Sequence, residues 1–394
     1  MSVHNRLFFL LAVVALVMGG CSGPGEPVVG VVIPLTGEAA PYGEHIREGI
    51  NLAVAEINAG DGISGQPLQV IFEDSGSDPD KGMAAAEKLI KEDNVLALIG
   101  GATSAVTMAI LEEVSEPSKV VLLSPAASSP NLSGKSPWFL RVYPSDTLEG
   151  ARMADMAGNE LRLKRLVIFS VADEYGRGYK KTLIDRYSRI KNREVIKVHN
   201  FMPGDRNFSA MMEETAALEA DGIFVIGYMD AVSALVQDIR AAGITLPILS
   251  SGSITADFPA VAGDAAEGVL FSSPSFRAIG NPAKVEAFIK AFKGKYGREP
   301  EDYAAYGYDA LNVMARVMEN GNLDRASIQL SIRTPASEYE GVTGNISFGN
   351  EGDVVASPTT FIVSGGVIVP YKEYLEGGGT PPGAADPDSE EAGD

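Results

Sequence analysis

The residues best placed to do chemistry in this chain are hydroxyls at turns. Thr103-Ser104 follows the apolar run Val95-Leu-Ala-Leu-Ile99 through Gly100-Gly101 and opens an amphipathic stretch, Ser104 to Glu116. A helix starting there aims its free N–H groups and the positive end of its dipole at whatever lies beyond, which suits a small anion. Ser104 also suits an N-cap, and one helix terminus can serve both purposes. A second hydroxyl cluster, Leu122-Leu-Ser-Pro-Ala-Ala-Ser-Ser-Pro130, leaves the next apolar run through turn-forming Ser-Pro steps. Such groups bind rather than react. Reactive materials are scarce, since the chain has three histidines and one cysteine. His45 and His199 stand in no ligand or triad spacing, and Gly30 and Gly37 do not complete a dinucleotide fingerprint. Asp173-Glu174 is an adjacent acid pair whose setting predicts a solvated loop. No enzyme, cofactor or metal centre is therefore expected.

The hydroxyl turns need a scaffold, and the surrounding pattern supplies one. Val28-Val-Gly-Val-Val-Ile-Pro-Leu35, Leu68-Gln-Val-Ile-Phe72, Val95–Ile99 and Val120-Val-Leu-Leu-Ser124 predict strands. Helical periodicity fills the gaps, as where Ile46, Ile50, Ala53, Val54 and Ile57 share one face. The alternation predicts a mostly parallel sheet covered on both faces. It restarts after Pro144 with Arg165–Ser170, Val195–Val198, Gly222–Ile226 and Pro247–Ser250. Two doubly wound α/β lobes follow. Small molecules bind such sheets at the carboxyl ends of the strands, where the Gly/Ser/Thr turns fall.

The ends of the chain set its compartment. Leu7 to Met18 is an apolar run of about a dozen residues, preceded by Arg6 and followed by Gly19-Gly20-Cys21, the form of a secretion leader. The run is too short to span a bilayer. A cysteine at the cut resembles the lipobox of bacterial lipoproteins, which implies lipidation of Cys21 and tethering to a membrane outside the cytoplasm. Residues 376–394 hold no basic residue and no apolar periodicity, and predict an acidic disordered tail. The formal charge of −20 argues against nucleic acid or an anionic membrane surface as partner.

Taken in order, Tyr42-Gly43, Asn51-Leu-Ala-Val-Ala-Glu-Ile-Asn58, Leu122-Leu-Ser-Pro-Ala126, Glu174-Tyr175-Gly176, Ala262-Gly-Asp-Ala-Ala-Glu-Gly268 and Ala305-Tyr-Gly-Tyr-Asp-Ala310 carry a further likeness. The chain resembles the leucine/isoleucine/valine-binding type of periplasmic solute receptor, the type I fold of two Rossmann-like lobes joined by a three-segment hinge. The resemblance implies one lobe of residues 28–143 plus 274–341 and another of 144–273 plus 342–375. It implies ligand contacts from Tyr42, Ser104, Ala127, Ser128, Tyr175, Tyr228 and position 252, with Ser104 donating to a ligand carboxylate. Many such receptors carry an acid at that last position to pair with a ligand ammonium, and this chain has Gly252. Three alternatives follow: Asp230 or Asp257 replaces the acid, tyrosine faces and carbonyls suffice, or the ligand has no amine. The implied protein is a monomer that captures a small carboxylate-bearing solute, an amino acid above all, and delivers it to an ABC permease. A sensor that presents its ligand to a membrane receptor would use the same fold.

Overall fold

The structure is a computed structural model that describes residues 26–320, 323–334 and 337–383. The leader with Cys21 and the acidic end beyond residue 383 lie outside the described residues. Strands β1 (Val28–Ile33), β2 (Gln69–Asp74), β3 (Ala97–Gly100), β4 (Leu122–Ser124) and β5 (Phe139–Arg141) form one parallel sheet in the order β2-β1-β3-β4-β5. Every residue of β1 is buried, which is why its sequence is unbroken apolar rather than alternating.

Strands β6 (Arg165–Val171), β7 (Glu194–Phe201), β8 (Gly222–Ile226), β9 (Ile248–Ser250) and β10 (Leu270–Ser273) pair in parallel as a second sheet. A hairpin of β11 (Tyr339–Gly341) and β12 (Gly344–Ile346) stands apart. Strands β13 (Thr359–Ser364) and β14 (Val367–Pro370) then extend the second sheet antiparallel beyond β10. The two doubly wound lobes are thus present, with helices on both faces of each sheet.

Between β10 and β11 the chain returns to the first lobe. There the helix Asp302–Glu319 packs along the helix Ala40–Ala59. The two approach so closely that a side chain at Gly49 would strike the Ala304 carbonyl, and one at Gly307 the Ile46 carbonyl. Glycine is required on each side of this crossing, and it brings the first turns of both helices, with Tyr42 and Tyr303, to one place.

The chain passes between sheets at 141–146, at 273–276 and again between β12 and β13. The last passage comes later than expected. Ile346 and Val354 are buried in the first lobe's core with Val29, Ile99 and Leu140, whereas the boundary at 341 assigned them to the second lobe. A buried carboxylate explains the difference. Asp309 accepts the N–H groups of Val342 (3.1 Å) and Thr343 (2.7 Å) and the Thr343 hydroxyl, pinning the hairpin to the first lobe. The tail also begins later than 376. Residues 371–376 are helical, and Gly379 N–H and the Tyr374 hydroxyl close the following turn on Tyr374 O and Thr380 O.

Candidate ligand-binding site

A small cavity lies between the lobes at the carboxyl ends of the strands. One wall is polar. After β3 the chain reverses through three consecutive positive φ values, at Gly100, Gly101 and Ala102 (150°, 83° and 56°). Side chains at either glycine would strike the Val32 carbonyl or Thr107. This tight turn delivers Thr103 and Ser104 to the cavity. Thr103, not Ser104, caps the helix Ser104–Ile110, accepting Val106 N–H at 3.4 Å. The Ser104 hydroxyl accepts Ser129 N–H at 3.1 Å and keeps its own proton to donate.

Ser128 lines the same wall and donates to Asp146 Oδ2 at 2.9 Å, across the first passage between lobes. Its loop is braced by Arg141, a fully buried guanidinium that sequence reasoning missed. Arg141 donates to Ala127 O (3.2 Å), Ser129 O (2.9 Å) and Ser133 Oγ (2.6 Å) and pairs with Asp353 at 2.7 Å. No signal in the sequence linked Arg141 to an acid 212 residues away.

The other walls are aromatic. Tyr42 and Tyr303 come from the first lobe, Tyr175 and Tyr228 from the second. Ring centroids lie 4.8 Å apart for Tyr42–Tyr303, 6.2 Å for Tyr42–Tyr228 and 5.6 Å for Tyr175–Tyr228, so the four form a near-continuous surface. Tyr303 was missed, although it stands two residues ahead of the matched Ala305–Ala310 stretch. Tyr42 also clasps the lobes. Its hydroxyl donates to Ser253 O (2.8 Å) and accepts Met229 N–H (2.7 Å), both in the second lobe.

Four expected contacts fall elsewhere. Ala127 turns into the apolar core, its N–H on Ser124 Oγ at 3.0 Å, and Ala126 faces the cavity in its place. The Ser-Pro turn rotates successive residues to opposite sides, which spacing alone did not register. Gly252 lines an adjoining compartment with Tyr143, Asp302 and Tyr303 rather than this cavity. Neither proposed replacement acid faces either space: Asp230 is exposed beside Arg206 at 3.5 Å, and Asp257 is exposed at the start of the helix Phe258–Ala262.

The acids that do surround the cleft came from other positions. Burial pushes the Asp146 carboxyl up to about 7, against the opposing pull of Ser128 and Arg141. Burial and the Asp146 charge push Glu149 well above the ordinary carboxylate range. Asp173 accepts the Tyr228 hydroxyl (2.7 Å) and Gly176 N–H (2.9 Å). Burial also works against ionised Glu174, but hydrogen bonds from Asn131, Arg177 and Ser129 outweigh it and hold the carboxyl below its usual range. Asp173-Glu174 is therefore no solvated loop: Glu174 joins the lobes through Ser129 (2.9 Å) and Asn131 (2.7 Å). His199 is buried against Phe169 with Nε2 3.1 Å from Thr215 Oγ1, and His45 is half-buried 3.5 Å from Glu48. Among the described residues no group of three or more His, Cys, Asp or Glu is arranged to hold a metal ion.

Hydroxyl donors facing tyrosine rings across a hinged cleft describe a capture site. A family model described as periplasmic binding protein matches residues 27–364. The chain belongs to the periplasmic binding protein family. It is 26% identical over 328 residues to the leucine-, isoleucine-, valine-, threonine- and alanine-binding protein of Pseudomonas aeruginosa, covering 82% of this chain and 85% of that one. Among solved structures it is similar to the leucine-binding protein LivK of Thermotoga maritima, with 29% identity, a TM-score of 0.79, and 87% and 97% of the two chains covered. It is also similar to the branched-chain amino acid transporter substrate-binding protein LivJ of Streptococcus pneumoniae, solved with isoleucine, at 26% identity, TM-score 0.79 and coverage of 87% and 98%. This periplasmic binding protein is a solute-binding protein and not an enzyme, and its family places it outside the cytoplasm. No helix among the described residues is long and apolar enough to cross a membrane.

Proposed function

We propose that this binding protein captures a small α-amino acid with an apolar side chain by lobe closure and hands it to the membrane subunits of an ABC importer. The observation that carries the proposal is the pairing of walls. Ser104, with the N–H groups of its turn, presents donors for a carboxylate, and Tyr42, Tyr175, Tyr228 and Tyr303 present flat apolar faces with polar rims. Tyrosine faces also attract an ammonium. The ligands named for the relatives from Pseudomonas aeruginosa and Streptococcus pneumoniae support the same class. Closure needs groups that meet only when the lobes meet. Tyr42 with Ser253 and Met229, and Glu174 with Ser129 and Asn131, supply them. We further propose that the mature protein is monomeric and anchored through lipid on Cys21. The test is calorimetry against leucine, isoleucine, valine and threonine, with each acid lacking its amine as control. Binding of aliphatic amino acids with compaction in solution scattering is expected. Binding of none of them, or an unchanged scattering profile at saturation, would remove the proposal.

A further inference from the structure

Glu149 is a buried acid beside the cleft that no cation among the described residues pairs with. It lies in the first turn of the helix Asp146–Asp155, fully buried. Its Oε1 accepts Gly252 N–H at 2.7 Å. Asp146 stands beside it on the same helix, and Tyr143, Tyr175, Tyr179, Tyr303 and Tyr306 surround the pair. Among the described residues no Lys, Arg or His ion-pairs with Glu149. Arg141 acts on Asp146 and is itself paired with Asp353. Arg277, which lines the adjoining compartment with Asp302, turns instead to Glu299 and Pro300 O.

A second acid buried beside Asp146 with no cation of its own is costly, and a site that keeps it has a use for a positive charge. Gly252 shows where that charge would sit. A Cβ built on Gly252 would lie 2.6 Å from Glu149 Oε2 and 2.5 Å from Ser272 O. The carboxylate thus occupies the space a side chain at 252 would fill. Gly252 itself lines the compartment shared with Tyr303, and its N–H holds Glu149 directly behind it. We infer that Glu149, seen past Gly252, is the counter-charge for the ammonium of the bound amino acid, and so decides that the cleft prefers an amine. The acid that position 252 lacks is supplied from a helix start about a hundred residues earlier. Tyr175 and Tyr303 line the cavity and feel the Glu149 charge, so their faces would favour the ammonium between the hydroxyl wall and the carboxylate.

This inference rests on the amino-acid reading above, and the experiment separates the two. Leucine and 4-methylpentanoate, which differ only in the amine, are titrated into the full protein and into Glu149→Gln by calorimetry. The preference for leucine over 4-methylpentanoate is expected to fall at least tenfold in Glu149→Gln, with affinity for 4-methylpentanoate changed less than threefold. A second measurement needs no variant. Burial and Asp146 raise the Glu149 carboxyl in the free protein, and an arriving ammonium should lower it again and so favour proton release. The leucine enthalpy should then vary with the buffer's ionisation enthalpy in the wild type, while 4-methylpentanoate should show no such variation. An unchanged leucine preference in a folded Glu149→Gln would overturn the role of Glu149 alone. Wild-type protein that binds no amino acid would overturn the ligand class as well.

Discussion

Removing a single oxygen, in Tyr42→Phe, tests the closure mechanism most directly. The Tyr42 hydroxyl makes two hydrogen bonds, to Ser253 O and from Met229 N–H, and both partners belong to the opposite lobe. With the lobes apart, water serves all three groups. With the lobes together and the ring buried, phenylalanine leaves a carbonyl and an N–H short of a partner. Each such bond contributes about 0.5–1.5 kcal/mol net, so the closed state should lose about 2 kcal/mol relative to the open one. Ligand binding draws on closure, and every 1.4 kcal/mol is tenfold, so leucine affinity should weaken roughly 30-fold. Calorimetry reads the affinity and solution scattering the compaction. Urea unfolding of the ligand-free variant should move little, because both lobe cores keep every apolar contact. An affinity change under threefold, or an equal loss in ligand-free stability, would refute the argument that Tyr42 acts on closure rather than on folding.

Other perturbations follow from the same geometry. Ser104→Ala should weaken leucine binding by about 1–3 kcal/mol, the range for a charged acceptor losing a donor, and unchanged calorimetry would remove Ser104 from the site. Asp353→Ala strands the buried Arg141 charge and should cost about 3–5 kcal/mol in denaturant unfolding, with less than 1 kcal/mol contradicting the brace. Stability should also depend on pH. Burial raises Asp146 to about 7 and Asp302 and Asp309 to about 6, so between pH 4 and 7 the folded protein holds protons that the unfolded chain has released. Stability must then fall as pH rises through that window, and ligand-free melting should be higher at pH 5 than at pH 8. A flat or rising profile would contradict these buried acids. Glu174, shifted downward, acts the other way: its contribution is present above about pH 4.5, its ordinary value, and is lost on acidification below that.

Local order was legible along the chain because it depends on neighbours in sequence. The all-apolar β1, the Gly100-Gly101 turn and the helix opening at Ser104 each follow from side-chain period and backbone sterics over a few residues. The alternation of strand and helix dictated two mostly parallel sheets for the same reason, and with them the edge where a ligand must lie. Resemblance then put Tyr42, Ser104, Ser128, Tyr175 and Tyr228 at that edge, and all five line the cavity. What tertiary structure alone decided is how distant charges pair. Arg141 meets Asp353, Asp309 holds Val342 and Thr343, and Glu149 stands behind Gly252, across 212, 34 and 103 residues at the widest. No periodicity encodes such pairs, because a buried charge is stabilised by whatever dipole the packed backbone brings within 3 Å. The chain itself specified which residues could bind. Folding decided which acid would face the ligand, since only the packing of the second lobe sets Glu149 where residue 252 has no side chain.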